Sequence, residues 1–374
     1  MDSIEKLLSD LVAIPSMNPM GRGREGEQYR EAALAAFVAE YLRRAAVDVE
    51  LDEVSPGRPN VIARLDAGAR RTLLLEAHLD TVFADRMVID PFCPEIRDGR
   101  LYGRGACDTK GALAAFLHAL RYCAEEMRKP SVNILFLAAA DEEYGFTGAK
   151  RAVARGLQAD FGIVGEPTGL HIVRAHKGVI RWRVITHGVA AHSAYPDRGK
   201  NAIYSMAHIV TRLQKHAGTL LEGRPHPLLG TPTLSVGVIE GGQTVNIVPD
   251  HCVIEVDRRT LPGETERSVL DAASNALDGL SGWEFSGPHL SIPGMEVDAD
   301  HPVVQVLGRS IKEVRGGVVI ESAQYATDAG VYNGSGIPSV VFGPGNIARA
   351  HTEEEYIELD QLQDAVRIIQ RVLE

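Results

Sequence analysis

The chain has 374 residues, 45% hydrophobic and 24% charged, ordinary for a globular protein and long enough for two domains with ample core. Its 39 basic residues are outnumbered by 50 acidic ones, a net charge of −11 with no basic run, which argues against nucleic acid or an anionic membrane as the main partner. Cys93, Cys107, Cys123 and Cys252 show no CxxC spacing and read as free thiols of a reducing compartment. With no signal-peptide core at the amino terminus and no apolar run of membrane length, a cytoplasmic protein is expected.

Met1-Asp-Ser-Ile-Glu-Lys reads as a helix start, and Ile4, Leu7, Leu8, Leu11 and Val12 predict a helix over 3–13 behind a Ser3 cap. Ile14-Pro-Ser-Met-Asn-Pro19 breaks it, and a second helix is expected over 25–46. Asn60 to Leu65 and Thr72 to Ala77 read as strands. A long Pro- and Gly-rich loop over 83–105 ends in Gly103-Arg-Gly-Ala-Cys-Asp-Thr-Lys-Gly111, ahead of an Ala- and Leu-rich helix; loops of that length are commonly functional. The run 132–138 (VNILFLA) predicts the most hydrophobic strand, followed directly by Asp141-Glu-Glu143. A short helix over 147–155 leads to strand 161–164 and then Gly165-Glu-Pro-Thr168.

Near residue 175 the pattern changes. Residues 179–186 alternate, with Ile180, Trp182 and Val184 on one face and Arg181 and Arg183 on the other, as a half-exposed antiparallel strand does. A helix over 200–215, strands over 232–239 and 251–258, a helix over 265–279 and a strand over 282–286 complete a β-α-β-β-α-β order, that of a split βαβ, ferredoxin-like module. Buried-strand character returns at Ser339-Val-Val-Phe342, and a final helix is expected over 360–373. The expected class is therefore α/β, a mostly parallel sheet flanked by helices with an inserted α+β module. The expected divisions are 1–175 and 289–374 for the catalytic domain and 176–288 for the insert.

Several chemical signals sit at strand ends. His78 and Asp80 close the leucine run 73–75 and, two apart on extended backbone, point the same way. Such a pair suits a metal ligand and its orienting carboxylate, although a strand-end His can merely cap a loop. Asp108 precedes a helix and could be its N-cap, but the flanking glycines let backbone crowd a ligand. Asp141, Glu142 and Glu143 repel one another unless a cation sits among them. Glu166 ends the next strand. His351, beyond the Gly343-Pro-Gly345 turn, would by itself read as a surface residue. Three separate strand ends each deliver a metal-competent side chain, at the edge where open α/β sheets build their sites.

The ordered set His78-x-Asp80, Gly103-Arg-Gly-x-x-Asp108-x-Lys-Gly111, Glu142-Glu143, Gly165-Glu-Pro-Thr168, Ala191-His-Ser193 and Ala350-His-Thr352 resembles the dinuclear-zinc amidohydrolase family of acetylornithine deacetylase, succinyl-diaminopimelate desuccinylase, aminoacylase and glutamate carboxypeptidase. Arg174-Ala-His-Lys-Gly178 and Arg259-Thr-Leu-Pro-Gly263 draw the chain nearest to the acetylornithine deacetylase branch. The resemblance implies two Zn2+ per subunit, replaceable by Co2+. His78 and Glu166 would hold one, Glu143 and His351 the other, and Asp108 would bridge them, with a cis peptide at Asp108–Thr109. It assigns Asp80 to orienting His78, Glu142 to proton transfer, and Asn246 and Arg259 to gripping substrate. His192 would reach into the partner's site across a homodimer. Two departures are Ala77, where many members have Gly, and Cys107 before the bridging Asp, which could sensitise the site to oxidation.

The resemblance implies a zinc-dependent hydrolase of the amide bond in N-acyl amino acids or short peptides, acetylornithine-deacetylase-like. The alternative is a succinyl-diaminopimelate desuccinylase or a carboxypeptidase. A non-catalytic relative would have lost Glu142 or a ligand, and an α/β serine hydrolase would carry Gly-x-Ser-x-Gly before a helix; neither fits.

Overall fold

Apolar runs in the first third of the chain become inner strands of an open sheet. The computed structural model describes residues 3–125 and 129–374; the helix start expected at Met1 and Asp2 lies outside them. The chain divides into two units. One comprises Met1–Arg174, Val297–Glu321 and Thr327–Glu374; the other comprises Ala175–Glu296 and Ser322–Ala326.

In the first unit the strand order is Asp48–Ser55, Arg58–Leu65, Asn133–Ala139, Thr72–His78, Phe161–Val164, Ser339–Val341 and Ile172–His176. The central neighbours are parallel: Thr72–His78 pairs with Asn133–Ala139 and Phe161–Val164, and the latter with Ser339–Val341. The outer hairpin is antiparallel. Parallel strands covered on both faces need continuous apolar sequence, and Leu73, Leu74 and Leu75 are all fully buried. Leu73, Leu75 and Ala77 join the main core with helices Ile4–Val12, Ala32–Arg43, Lys110–Glu125, Pro302–Arg315 and Leu359–Leu373. By alternation, Leu74, Glu76 and His78 face the other way.

Three differences from the sequence reading have local causes. Residues 25–31 are not helical: Gly26 and Arg30 take positive φ, and Met17 pairs with this stretch through Met17 N–Gln28 O and Arg30 N–Met17 O. The helix begins only at Ala32, after Glu31 has been drawn onto Arg58. Asp48–Ser55 is a strand despite four acids because it is an edge strand, with exposed side chains at most positions. The 83–105 loop contains the hairpin Glu95–Arg97 and Arg100–Tyr102, turned at Asp98 and Gly99, both at positive φ.

The second unit carries a four-stranded antiparallel sheet in the order Thr233–Gly241, His251–Thr260, Gly178–His187, Trp283–Ile292. That is the split βαβ arrangement. Trp182, Val184, Ile254 and Val256 face helices Ala202–Leu221 and Glu266–Ala276 in a separate core. The alternation seen in 179–186 follows, since one sheet face meets helices and the other keeps Arg181 and Arg183.

Candidate metal centre

Strand ends and two loops of the first unit bring five donors together. His78 Nε2 lies 3.1 Å from one oxygen of Asp108 and 3.9 Å from Glu166. The other Asp108 oxygen is 3.2 Å from His351 Nε2, which is also 3.2 Å from Glu143. One carboxylate thus spans two imidazoles. Two overlapping sets have donor atoms within 4.8 Å of one another: His78, Glu142 and Glu166, and His78, Asp108 and Glu143. The peptide Asp108–Thr109 is cis, and Thr109 Oγ1 donates to the carbonyl of Gly165, beside Glu166.

His78 Nδ1 sits 2.9 Å from the carbonyl oxygen of Asp80, nearer than the Asp80 carboxylate at 3.6 Å. A proton donated there leaves the Nε2 lone pair facing the acids, as a ligand requires. The Asp80 carboxylate instead accepts the amides of Glu142 and Glu143, at 3.0 and 3.1 Å. It therefore fixes the backbone that presents both acids.

The protein's own charges do not balance here. Burial, then the neighbouring Glu166 and Asp108 carboxylates respectively, push Glu142 and Glu166 well above the usual carboxylate range; Glu143 is raised too, by burial and Asp108. Burial would raise Asp108 as well, but hydrogen bonds from His351 and His78 hold it low. Burial works against a charged His351, yet Asp108 and Glu143 lift it to about 11. Four carboxylates so placed match two divalent cations in charge, with imidazoles left neutral as ligands. The donors are oxygen and nitrogen without thiolate, which suits zinc or a similar borderline ion. Cys107 is buried and its thiol is pushed up by burial, so the oxidation sensitivity expected of it has no accessible thiolate to act through.

Residues that the sequence reading passed over hold this arrangement. Glu355, fully buried, accepts amides from Gly105, Cys107 and Asp108 at 3.1, 2.9 and 2.9 Å and pairs with Arg104. It locks the turn that presents Asp108. Asn18 Nδ2 donates to Asp80 at 2.7 Å and Asp141 at 2.9 Å. Arg58 reaches Asp141 at 2.7 Å and grips Glu31, which burial lifts to about 7 against that grip. The one local signal was an Asn between two prolines, rigid where a flexible loop would do; Glu355 sits in an acidic run that reads as solvated.

The other expected site residues belong to the second unit. His192 is exposed at the end of the short strand Ala191–His192, paired with Ile247–Val248. The carbonyl of Asn246 accepts the Ser193 amide at 3.0 Å, so Asn246 and His192 lie at the same end of this strand pair. Arg259 is half-exposed on strand His251–Thr260 and pairs with Asp257 at 2.9 Å. Arg258 is buried against Glu264.

Residues 74–374 match the profile of peptidase family M20/M25/M40. The chain is 33% identical to the acetylornithine deacetylase of Photorhabdus laumondii over 381 residues, covering 99% of this chain and 96% of the relative. It is 35% identical to that of Myxococcus xanthus over 336 residues, 86% and 85% of the two. An M20 family metallo-carboxypeptidase from Sulfolobus solfataricus shares the fold at TM-score 0.82 and 22% identity, with 100% and 99% coverage. A dinuclear metal-binding M20 peptidase from Bacillus subtilis aligns at TM-score 0.68 and 17% identity, with 99% and 96% coverage.

Proposed function

The chain belongs to peptidase family M20/M25/M40 and is a metal-dependent amide hydrolase, and from that premise we propose that it deacylates N-acyl amino acids in the manner of acetylornithine deacetylase, using two zinc ions. What carries the reading is the meeting of His78, Asp108, Glu143, Glu166 and His351 with Glu142 beside them.

His78 and Glu166 would hold one ion and Glu143 and His351 the other, with Asp108 between the two imidazoles as a ligand to share. Bound there, the ions supply Lewis acidity toward the scissile carbonyl and lower the pKa of water. Glu142 takes the proton of the attacking water as its oxygen bonds to the carbonyl carbon. It returns that proton to the amide nitrogen as the C–N bond breaks, giving a carboxylate and a free amine. A buried carboxyl with a raised pKa suits both halves of that exchange. Asp80 keeps Glu142 in place through its amide. Arg259 grips the substrate's α-carboxylate in a bidentate pair, Asn246 adds a polar contact, and His192 from the partner in a homodimer donates to the oxyanion. Cobalt substitutes for zinc, and the working compartment is the cytoplasm.

The test is turnover of N-acetyl-L-ornithine, N-succinyl-L,L-diaminopimelate and a dipeptide by protein stripped with chelator and reloaded with zinc or cobalt. The proposal expects no activity when stripped, recovery on reloading, and the acetyl substrate ahead. Undiminished activity after complete metal removal refutes it.

A further inference from the structure

Along the strand that carries His78, the first unit buries a further pair of acids. Glu76 stands two residues before His78 and so on the same strand face, turned away from the main core. Asp328 and Tyr332 lie four apart on helix Asp328–Gly334 and so on one side of it. All three side chains are almost wholly buried, and the two carboxyl groups lie within hydrogen-bonding reach of each other.

Both oxygens of Glu76, both of Asp328 and the Tyr332 hydroxyl have no hydrogen-bond partner among the described residues. Buried polar atoms are rarely left so, and buried charge is met by an opposite charge or by a metal. Two carboxylates this close repel unless something positive lies between them. The arginine of the neighbouring acid network does not serve, since Arg58 is engaged by Glu31 and Asp141. A shared proton satisfies one oxygen of each carboxyl group and leaves three of the five atoms unmet. A cation takes lone pairs from both carboxylates and from the phenol together.

The donors here are oxygen alone, without the imidazoles of the centre around Asp108, and such a set selects a hard ion over zinc. We therefore propose that Glu76, Asp328 and Tyr332 hold a hard cation, calcium or an alkali ion, at a structural site distinct from the two-zinc centre. The ion fastens helix Asp328–Gly334 to strand Thr72–His78 just before the strand delivers His78. Two buried carboxylates balance a divalent charge, which puts calcium first; magnesium, which keeps several waters, suits so closed a site least.

The full chain, saturated with zinc and dialysed into tetramethylammonium chloride, is analysed for calcium, sodium and potassium. It is then melted with each of the three chlorides at matched ionic strength. Either about one equivalent of one of these ions is retained through dialysis, or one of them at about 0.1 M raises the melting temperature by about 3 °C or more. The effect should vanish in Glu76→Gln/Asp328→Asn, whose amides hydrogen-bond to each other without an ion. Tyr332→Phe, which keeps both carboxylates and serves if the double variant does not fold, should lose the ion on dialysis or need about threefold more of it. No retained ion together with a melting temperature indifferent to the cation overturns the proposal and leaves the shared proton. An ion or a response that survives the double substitution, or is unchanged in Tyr332→Phe where that variant alone folds, belongs elsewhere and overturns it as well. None of these readouts uses turnover, so a failure of amide hydrolysis leaves them standing.

Discussion

Glu355→Ala should be among the most destabilising single changes in the first unit. The carboxylate accepts three backbone amides and neutralises Arg104, and both side chains are almost wholly buried. Losing the acceptor strands three donors at roughly 1 kcal/mol or more each. Leaving Arg104 buried without its partner costs about 3 kcal/mol beyond that. Water entering the vacated space offsets part of the sum, so about 4–5 kcal/mol is expected, a large fraction of ordinary domain stability of about 5–15 kcal/mol. Glu355→Gln keeps an acceptor oxygen and should lose roughly half as much. Urea denaturation of the metal-free proteins gives the stabilities, and titration with zinc gives the affinity at Asp108, which should weaken in both variants. A Glu355→Ala protein within about 1 kcal/mol of the parent would mean that the amides around Asp108 find other partners, and that the proposed lock is not one.

Glu142→Gln should retain both metals by elemental analysis while turnover falls about 10²–10⁴-fold, the usual span for a lost general base; loss of metal in that variant would show that Glu142 and Glu143 have exchanged roles. Mixing inactive His192→Ala with inactive Glu142→Ala protein should restore part of the activity once subunits exchange, and no recovery after demonstrated exchange speaks against a site completed by a partner. His176 is fully buried, and burial lowers its pKa from 6.5 to about 4. Its unfolded form binds the proton first, so its share of stability is whole above pH 6.5 and is lost as the pH falls through about 4. The loss is on the order of 3 kcal/mol. The stability of His176→Phe minus that of the parent should therefore climb across that window, and a flat difference rules the titration out.

Which side chains meet in the candidate centre was legible because each ends a strand or follows a short motif. His78, Glu142, Glu143 and Glu166 follow apolar runs, and short apolar runs read as buried inner strands, which here lie parallel with their carboxyl ends at one edge. The alternation from Ile180 to Val184 exposed the second sheet for the same reason: period two survives wherever one face is wet. Less legible were elements whose stability comes from elsewhere in the chain. Asp48–Ser55 carries four acids and only Val49 and Leu51 on its apolar face, and its pairing with Arg58–Leu65 makes it a strand. Residues 25–31 carry helix formers, yet their backbone bonds go to Met17.

The polypeptide order by itself offered His78, Glu142, Glu143 and Glu166 as candidate donors, since imidazole and carboxylate chemistry belongs to the residue and a strand end is set by local pattern; Asp108 and His351 joined them only through the resemblance of the whole motif set. Only the tertiary structure decided what holds those donors. Glu355 lies 247 positions from the Asp108 amide it accepts, Asn18 is 62 from Asp80, and Arg58 is 83 from Asp141. Whether a polar residue is solvated or buried against a distant partner depends on the packing that surrounds it, and local sequence carries no record of that burial.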